Sequence, residues 1–171
     1  MPTTDPELAA QLCEIELLIC DVDGTLTDGT TTWLGPDHGW SQTYRHRDGD
    51  AIRALMAAGV GFVPLSRNGS ACARARMQAL GLDTNWLGVD DKLAALRELL
   101  VAYGVSARKV LIMGDGTHDA ELMPHVAVGV AVADAHSAAI RAARHVTKAG
   151  GGQGAVEELI IQILAARAER A

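Results

Sequence analysis

Asp21 and Asp23 stand two residues apart at the end of an apolar run, in LLICDVDGTLTDG (residues 17–29), with Gly24 and Thr25 directly after. Burying an unpaired carboxylate is costly, so a group in that position takes a partner, a metal or a proton. The arrangement recurs downstream. VLIMG runs into Asp115, with Asp119 four residues on, and VGFVPL runs into Ser66. Lys92 opens a helical pattern, where the helix dipole opposes a positive charge unless another group wants it. Carboxylates gathered with one serine and one lysine make a Mg²⁺ site that can hold a phosphate. They supply hard oxygen ligands for the cation, and a hydroxyl and an ammonium for the phosphoryl oxygens.

Two other readings of the first stretch are weaker. An EF-hand loop wants an oxygen ligand fifth, Gly sixth and Glu twelfth. Counted from Asp21 these are Thr25, Leu26 and Thr32, and a strand precedes them, so that reading fails. A plain turn at Asp23-Gly24 accounts for one segment, but not for GDGTHD after a second apolar strand.

Strand-length apolar runs alternate with helical patterns. Asp5-Pro6 reads as an N-cap and N1 pair, IELLIC as a strand, and TTTWLG and WSQTYRHR as extended pieces around the turn GPDHG. A helix through Ile52, Leu55 and Met56 stops near Gly59, VGFVPL is a strand, and Ser70 to Leu80 is a helix. TNWLG reads as a short strand, Asp91 to Tyr103 as a helix, KVLIMG as a strand and DAELM as a short helix broken at Pro124. VAVGVAVA is a strand, SAAIRAAR a helix, HVT a short extended piece and Ala155 to Ala166 the last helix. Continuous apolar strands between helices imply a parallel sheet covered on both faces, in an α/β three-layer sandwich. Such sheets bind ligands beyond the carboxyl ends of their strands, where Asp21, Ser66 and Asp115 fall. The Gly-rich AGGGQG (149–154) reads equally as a helix-entry loop or a ligand loop.

The bulk composition agrees with one well-packed domain over 1–171: 171 residues, 49% hydrophobic. Fifteen basic against twenty-one acidic residues, a net −6, argue against nucleic acid or an anionic membrane as partner. No apolar run is long enough to span a membrane, and the N-terminus lacks a secretory pattern, so a cytoplasmic protein is expected. Cys13, Cys20 and Cys72 are scattered and form no disulfide or zinc pattern. The six histidines have no ligand spacing.

These residues resemble the haloacid dehalogenase superfamily. DVDGT matches its DxDxT signature, Ser66 and Lys92 fit its second and third motifs, and GDGTHD fits its fourth. From Leu17 to about Leu164 the chain is similar to the capless 3-deoxy-D-manno-octulosonate 8-phosphate phosphatases, through LLICDVDGTLTDG, RDGDAIRAL, DDKLAAL, VAVADAH and GGGQGAVEEL. The resemblance implies a Rossmann-like fold of that type, a small β-hairpin flap at about 30–47 and no cap domain. It implies a Mg²⁺-dependent phosphomonoesterase with Asp21 as nucleophile, Asp23 as general acid and base, and Ser66 and Lys92 on the phosphoryl oxygens. Mg²⁺ would be held by Asp21, the backbone carbonyl of Asp23, and Asp115, with Asp119 orienting a ligand or Lys92. Arg47, Asp48, Gly49, Arg53, Asn68, Arg76 and Gln153 fall on substrate-contact positions, and the hairpin would build a homotetramer that closes each site.

The chain departs from the family in places. Ser66-Arg67-Asn68 stands where Thr-Gly-Arg is common, Gln153 where the Gly-rich tail commonly has Arg, and Gly116 where a second Asp is usual. The expected substrate is a small phosphorylated sugar or sugar acid, of octulosonate 8-phosphate or nonulosonate 9-phosphate type. The alternatives are a non-catalytic assembly or regulatory module and a phosphotransferase or mutase.

Overall fold

The computed structural model of the chain describes residues 5–170, so residues 1–4 and 171 of the expected domain lie outside the described residues. In chain order the elements are α1 (Pro6–Cys13), β1 (Leu17–Cys20), β2 (Thr32–Trp33), β3 (Trp40–Ser41), α2 (His46–Ala57), β4 (Gly61–Pro64) and α3 (Ala71–Ala79). There follow α4 (Lys92–Ala102), β5 (Val110–Gly114), α5 (Thr117–Leu122), β6 (Val128–Ala131), α6 (Ser137–Ala142), β7 (His145–Val146) and α7 (Ala155–Ala168). Five strands form one parallel sheet in the order β4-β1-β5-β6-β7, and β2 and β3 form a separate antiparallel hairpin. This is the expected α/β sandwich.

The alternation along β1 shows why its residues must all be apolar. Leu18 and Cys20 enter a core with Leu8 and Leu12 of α1, Ile52 and Leu55 of α2, Met77 of α3 and Leu159 and Ile163 of α7. Leu17 and Ile19 point the other way, into a core with Ala95, Leu96 and Leu99 of α4 and Leu122 of α5. A strand covered on both faces has no solvent side for a polar residue until it ends. β1 ends at Cys20, which is in register with Pro64 of β4 and Met113 of β5. Asp21 is one residue past that row, and Ser66 and Asp115 are two past it. The register alone therefore delivers three site residues to one edge.

Caps set several helix boundaries. Asp5 accepts from the backbone N–H groups of Glu7 and Leu8, Ser70 from that of Ala73, and Asp91 from that of Ala94. The structure differs from the sequence expectation in two places. The hairpin is only two residues per strand, and α2 already begins at His46, so the extended reading of WSQTYRHR runs too far. TNWLG makes a turn with a single bridge, Ser66 to Leu87, because the Thr84 carbonyl is taken up by Leu87 N–H. Between Asp21 and Ser66 the chain builds the hairpin, α2 and β4, and between Ser66 and Lys92 it builds α3 and this turn. Among the described residues, no helix is long and apolar enough to cross a membrane.

Candidate active site

The loop after β1 folds back tightly on itself. The Val22 carbonyl accepts from the N–H groups of Leu26 and Thr27, both at 3.0 Å. The buried Thr27 hydroxyl accepts from Gly24 and Gly29 N–H at 3.3 and 3.2 Å. Gly24 has φ +82°, and a Cβ there would land on the Asp115 carboxylate. Any side chain at 24 would push apart the loops carrying Asp21 and Asp115. The Gly-rich stretch supports the loop from behind. Gly152 N–H donates to Thr25 O at 3.0 Å, and a Cβ on Gly151 would fall on Gly24 O. The stretch is therefore packed against the loop between Asp23 and Asp28.

Asp21, Asp115 and Asp119 can each bring one oxygen within 4.8 Å of the others. Lys92 Nζ donates to Asp21 Oδ1 at 2.7 Å and to Asp119 Oδ1 at 2.8 Å, with all three side chains buried. Asp119 Oδ2 accepts from the N–H groups of Asp115 and Gly116 at 3.2 and 2.9 Å. Both Asp119 oxygens are thus engaged within the protein, which suits an orienting role better than that of a metal ligand. Burial pushes Asp21 up from 3.8 to about 7, with the charge of Asp119 adding to it and the attraction of Lys92 opposing it. Burial, and then the charge of Asp119, also raise Asp115. Burial works against a charged Lys92, but its two carboxylate partners prevail and raise it. Three carboxylates against one ammonium leave the cluster short of positive charge. Its donors are all hard oxygens, so a Mg²⁺ between Asp21 and Asp115 fits.

Ser66 is buried beside this cluster, and its hydroxyl accepts from Asn68 N–H at 3.1 Å. Asp23 lines a cleft of about 360 Å³ together with Thr31, Trp40, Gln42, Asn68 and Ser70 among others. Asn68 Nδ2 donates to Asp23 Oδ1 at 3.0 Å and to Gln42 Oε1 at 3.2 Å. Gln42 Nε2 donates to the same Asp23 oxygen. Tyr44 hydroxyl completes the network on Gln42 Oε1 at 3.2 Å. Gln42 was invisible to motif reasoning, since it lies nineteen residues from Asp23 in a polar segment.

Comparison with known proteins decides the family. A haloacid dehalogenase-like hydrolase profile matches residues 87–159. The 3-deoxy-D-manno-octulosonate 8-phosphate phosphatase of Yersinia pestis is 34% identical over 166 residues, covering 97% of this chain and 88% of that protein. Its crystal structure superposes with a TM-score of 0.90 at 33% identity, over 95% of this chain and 88% of that one. The chain belongs to the haloacid dehalogenase superfamily. Like these relatives, it is a phosphatase. The Moraxella catarrhalis 3-deoxy-D-manno-octulosonate 8-phosphate phosphatase, solved with a magnesium ion, a phosphate ion and a KDO molecule, has a TM-score of 0.88 at 27% identity, over 95% and 93% of the two chains.

Against this superfamily frame, the residues expected to touch substrate separate. Asn68 lies on the cleft beside Asp23. Asp48 is buried and accepts from Glu157 N–H at 2.9 Å, holding the start of α7. Gly49 lies under the Arg76 guanidinium, which sits 5.8 Å from the Tyr44 ring centre. Arg53 is on the exposed face of α2 with Asp50 at 3.4 Å, and Arg47 is exposed on the first turn of α2. The Gln153 carbonyl accepts from Arg45 at 3.0 Å, and Arg45 also pairs with Glu157 at 3.0 Å. Within one chain only Asn68 of this group reaches the Asp23 cleft.

Proposed function

We propose that the protein is a Mg²⁺-dependent phosphomonoesterase that hydrolyses a small phosphorylated sugar or sugar acid, the class named by its octulosonate phosphate relatives, through an aspartyl-phosphate. The observation that carries this reading is the buried Asp21–Lys92–Asp119 network at the aligned ends of β1 and β5, with Asp115 beside it. Asp21 attacks phosphorus as the bond from phosphorus to the sugar oxygen breaks, and Asp23 gives its proton to that oxygen. Asp23 then takes a proton from the water that attacks the Asp21-bound phosphoryl group, which frees the carboxylate and inorganic phosphate. Ser66 and Lys92 hold the phosphoryl oxygens, and Asp119 keeps Lys92 aimed at Asp21. Asp21, the Asp23 carbonyl and Asp115 would hold the Mg²⁺, which would supply charge neutralisation at the phosphoryl group.

The hairpin suits a role in closing this site between subunits of an oligomer, most simply a tetramer. Trp33, Leu34 and Trp40 each expose more than half of their surface, the two tryptophan rings meet tilted at 57° with centres 5.2 Å apart, and Trp40 also borders the Asp23 cleft. Deleting residues 34–39 is expected to give smaller species and lower activity together, checked by light scattering and phosphate release. A fully active wild-type monomer would contradict it. For the reaction itself, released phosphate should vanish with chelator and return with Mg²⁺. Turnover indifferent to Mg²⁺ would overturn the reading.

A further inference from the structure

We infer that the leaving group of the substrate is an uncharged, hydroxyl-rich sugar, read by the side-chain amides of Gln42 and Asn68, and that a sugar-acid carboxylate is disfavoured on this side of the site. The inference rests on the phosphatase reading above and narrows its substrate class.

The Asp23 cleft is where the leaving oxygen must sit, because Asp23 is the proton donor and lines it. Among the described residues of this chain, no lysine, arginine or histidine lines this cleft, and Asp23 brings its only carboxylate. The cations nearby are engaged elsewhere, Arg76 over the Tyr44 ring at 5.8 Å. Arg67 meets the His118 ring at 3.1 Å. Arg74 binds three backbone carbonyls, those of Gly69, Thr84 and Leu87, at 3.2, 2.9 and 2.9 Å. Arg45 holds Gln153 and Glu157, and Lys92 is enclosed between Asp21 and Asp119.

A carboxylate entering this cleft would lose hydration, approach Asp23 and find no positive partner among this chain's lining residues. A hydroxyl suffers none of these penalties. With their bonds to each other and to Asp23, Tyr44 and Ser70 made, Gln42 keeps one N–H to donate and Asn68 Oδ1 one lone pair to accept, a pair that matches a sugar hydroxyl that can do both. Trp40 on the wall offers an apolar face of the kind that packs against a sugar ring. The two amides are fixed in orientation by each other and, for Gln42, by Tyr44, so they are pre-set for this task.

The test uses the full-length protein in its own assembly state with Mg²⁺ and measures kcat/KM by phosphate release. The neutral probes are glucose 6-phosphate, mannose 6-phosphate and sedoheptulose 7-phosphate. The acidic probes are 6-phosphogluconate and octulosonate 8-phosphate, with p-nitrophenyl phosphate as a reporter of the chemistry alone. The best neutral probe should exceed the best acidic probe by about tenfold or more. Gln42→Lys and Asn68→Arg should each move the ratio toward the acids by about tenfold. An acidic probe as the best substrate would overturn the inference, as would turnover of p-nitrophenyl phosphate with none of the neutral sugars. A wild-type ratio that both variants leave unchanged would also overturn it. Wild-type protein inert toward p-nitrophenyl phosphate would instead remove the phosphatase reading beneath it.

Discussion

The two sides of the site are built on different physics. The proposed phosphoryl side, Asp21, Lys92, Asp115 and Asp119, is charged and largely buried, and its residues follow strand ends or lie in the first turn of a helix. The leaving-group side, Asp23, Gln42 and Asn68, is half-buried, is linked by neutral amides, and draws Gln42 from beside a two-residue hairpin strand. Rigid, buried charge suits chemistry that is the same for every phosphate ester. A shallower surface of amides on loops can change with the sugar while the chemistry stays fixed.

This contrast is sharpened first by Lys92→Ala. It leaves Asp21 and Asp119 buried without their shared cation, so stability should drop by about 3 kcal/mol or more in denaturant melts without Mg²⁺. Turnover should fall on the order of a hundredfold or more with every ester alike. A variant that lost activity only toward sugars would place Lys92 on the wrong side. Next comes Gly24→Ala, whose Cβ would meet the Asp115 carboxylate at a φ of +82°. Mg²⁺ affinity should weaken about tenfold by activity titration. Unchanged Mg²⁺ dependence would mean the loop adjusts freely.

Proton linkage gives a subtler difference. Without Mg²⁺, Asp21 holds its proton up to about 7 in the folded chain, against 3.8 when free. Between those values the folded state binds more protons, so its stability from this group declines as pH rises from about 4 to about 7. Melting temperatures of wild type and Asp21→Asn should therefore diverge over that range, the variant gaining as pH rises, and saturating Mg²⁺ should lift the wild type most near the top of it. Parallel curves would contradict the burial cost assigned to Asp21. The smallest effect is expected on the neutral side. Gln42→Ala removes one of two amide donors to Asp23, which should slow sugar phosphates about five- to tenfold. p-Nitrophenyl phosphate, whose leaving group needs little protonation, should change by less than about twofold. Equal losses on both would assign Gln42 a merely structural role.

The same contrast explains what the sequence could reveal. The phosphoryl side was legible because fully apolar strands announce both faces of a sheet, and the first polar residue after each marks its carboxyl end. Caps at Asp5, Ser70 and Asp91 likewise fix helix starts by local hydrogen bonding. Gln42 was not legible, because a neutral residue in a polar segment has no periodicity and gains its meaning only when the chain folds back to Asp23. The contact of Gly151 on Gly24 joins residues far apart in sequence, so the Gly-rich stretch could be read equally as a helix-entry loop or a ligand loop. TNWLG resembles a strand by composition, yet local turn hydrogen bonds capture its backbone.

The central claim is that Asp21, at the end of β1, becomes phosphorylated during turnover. Acid-quenched single turnovers of p-nitrophenyl phosphate with Mg²⁺, followed by peptide mass spectrometry, test it directly. The account predicts one phosphoryl group on Asp21 in wild type, accumulating most in Asp23→Asn because hydrolysis of the intermediate loses its base. It predicts no phosphorylated peptide and no turnover in a folded Asp21→Asn. Phosphate release near the wild-type rate by Asp21→Asn would contradict it.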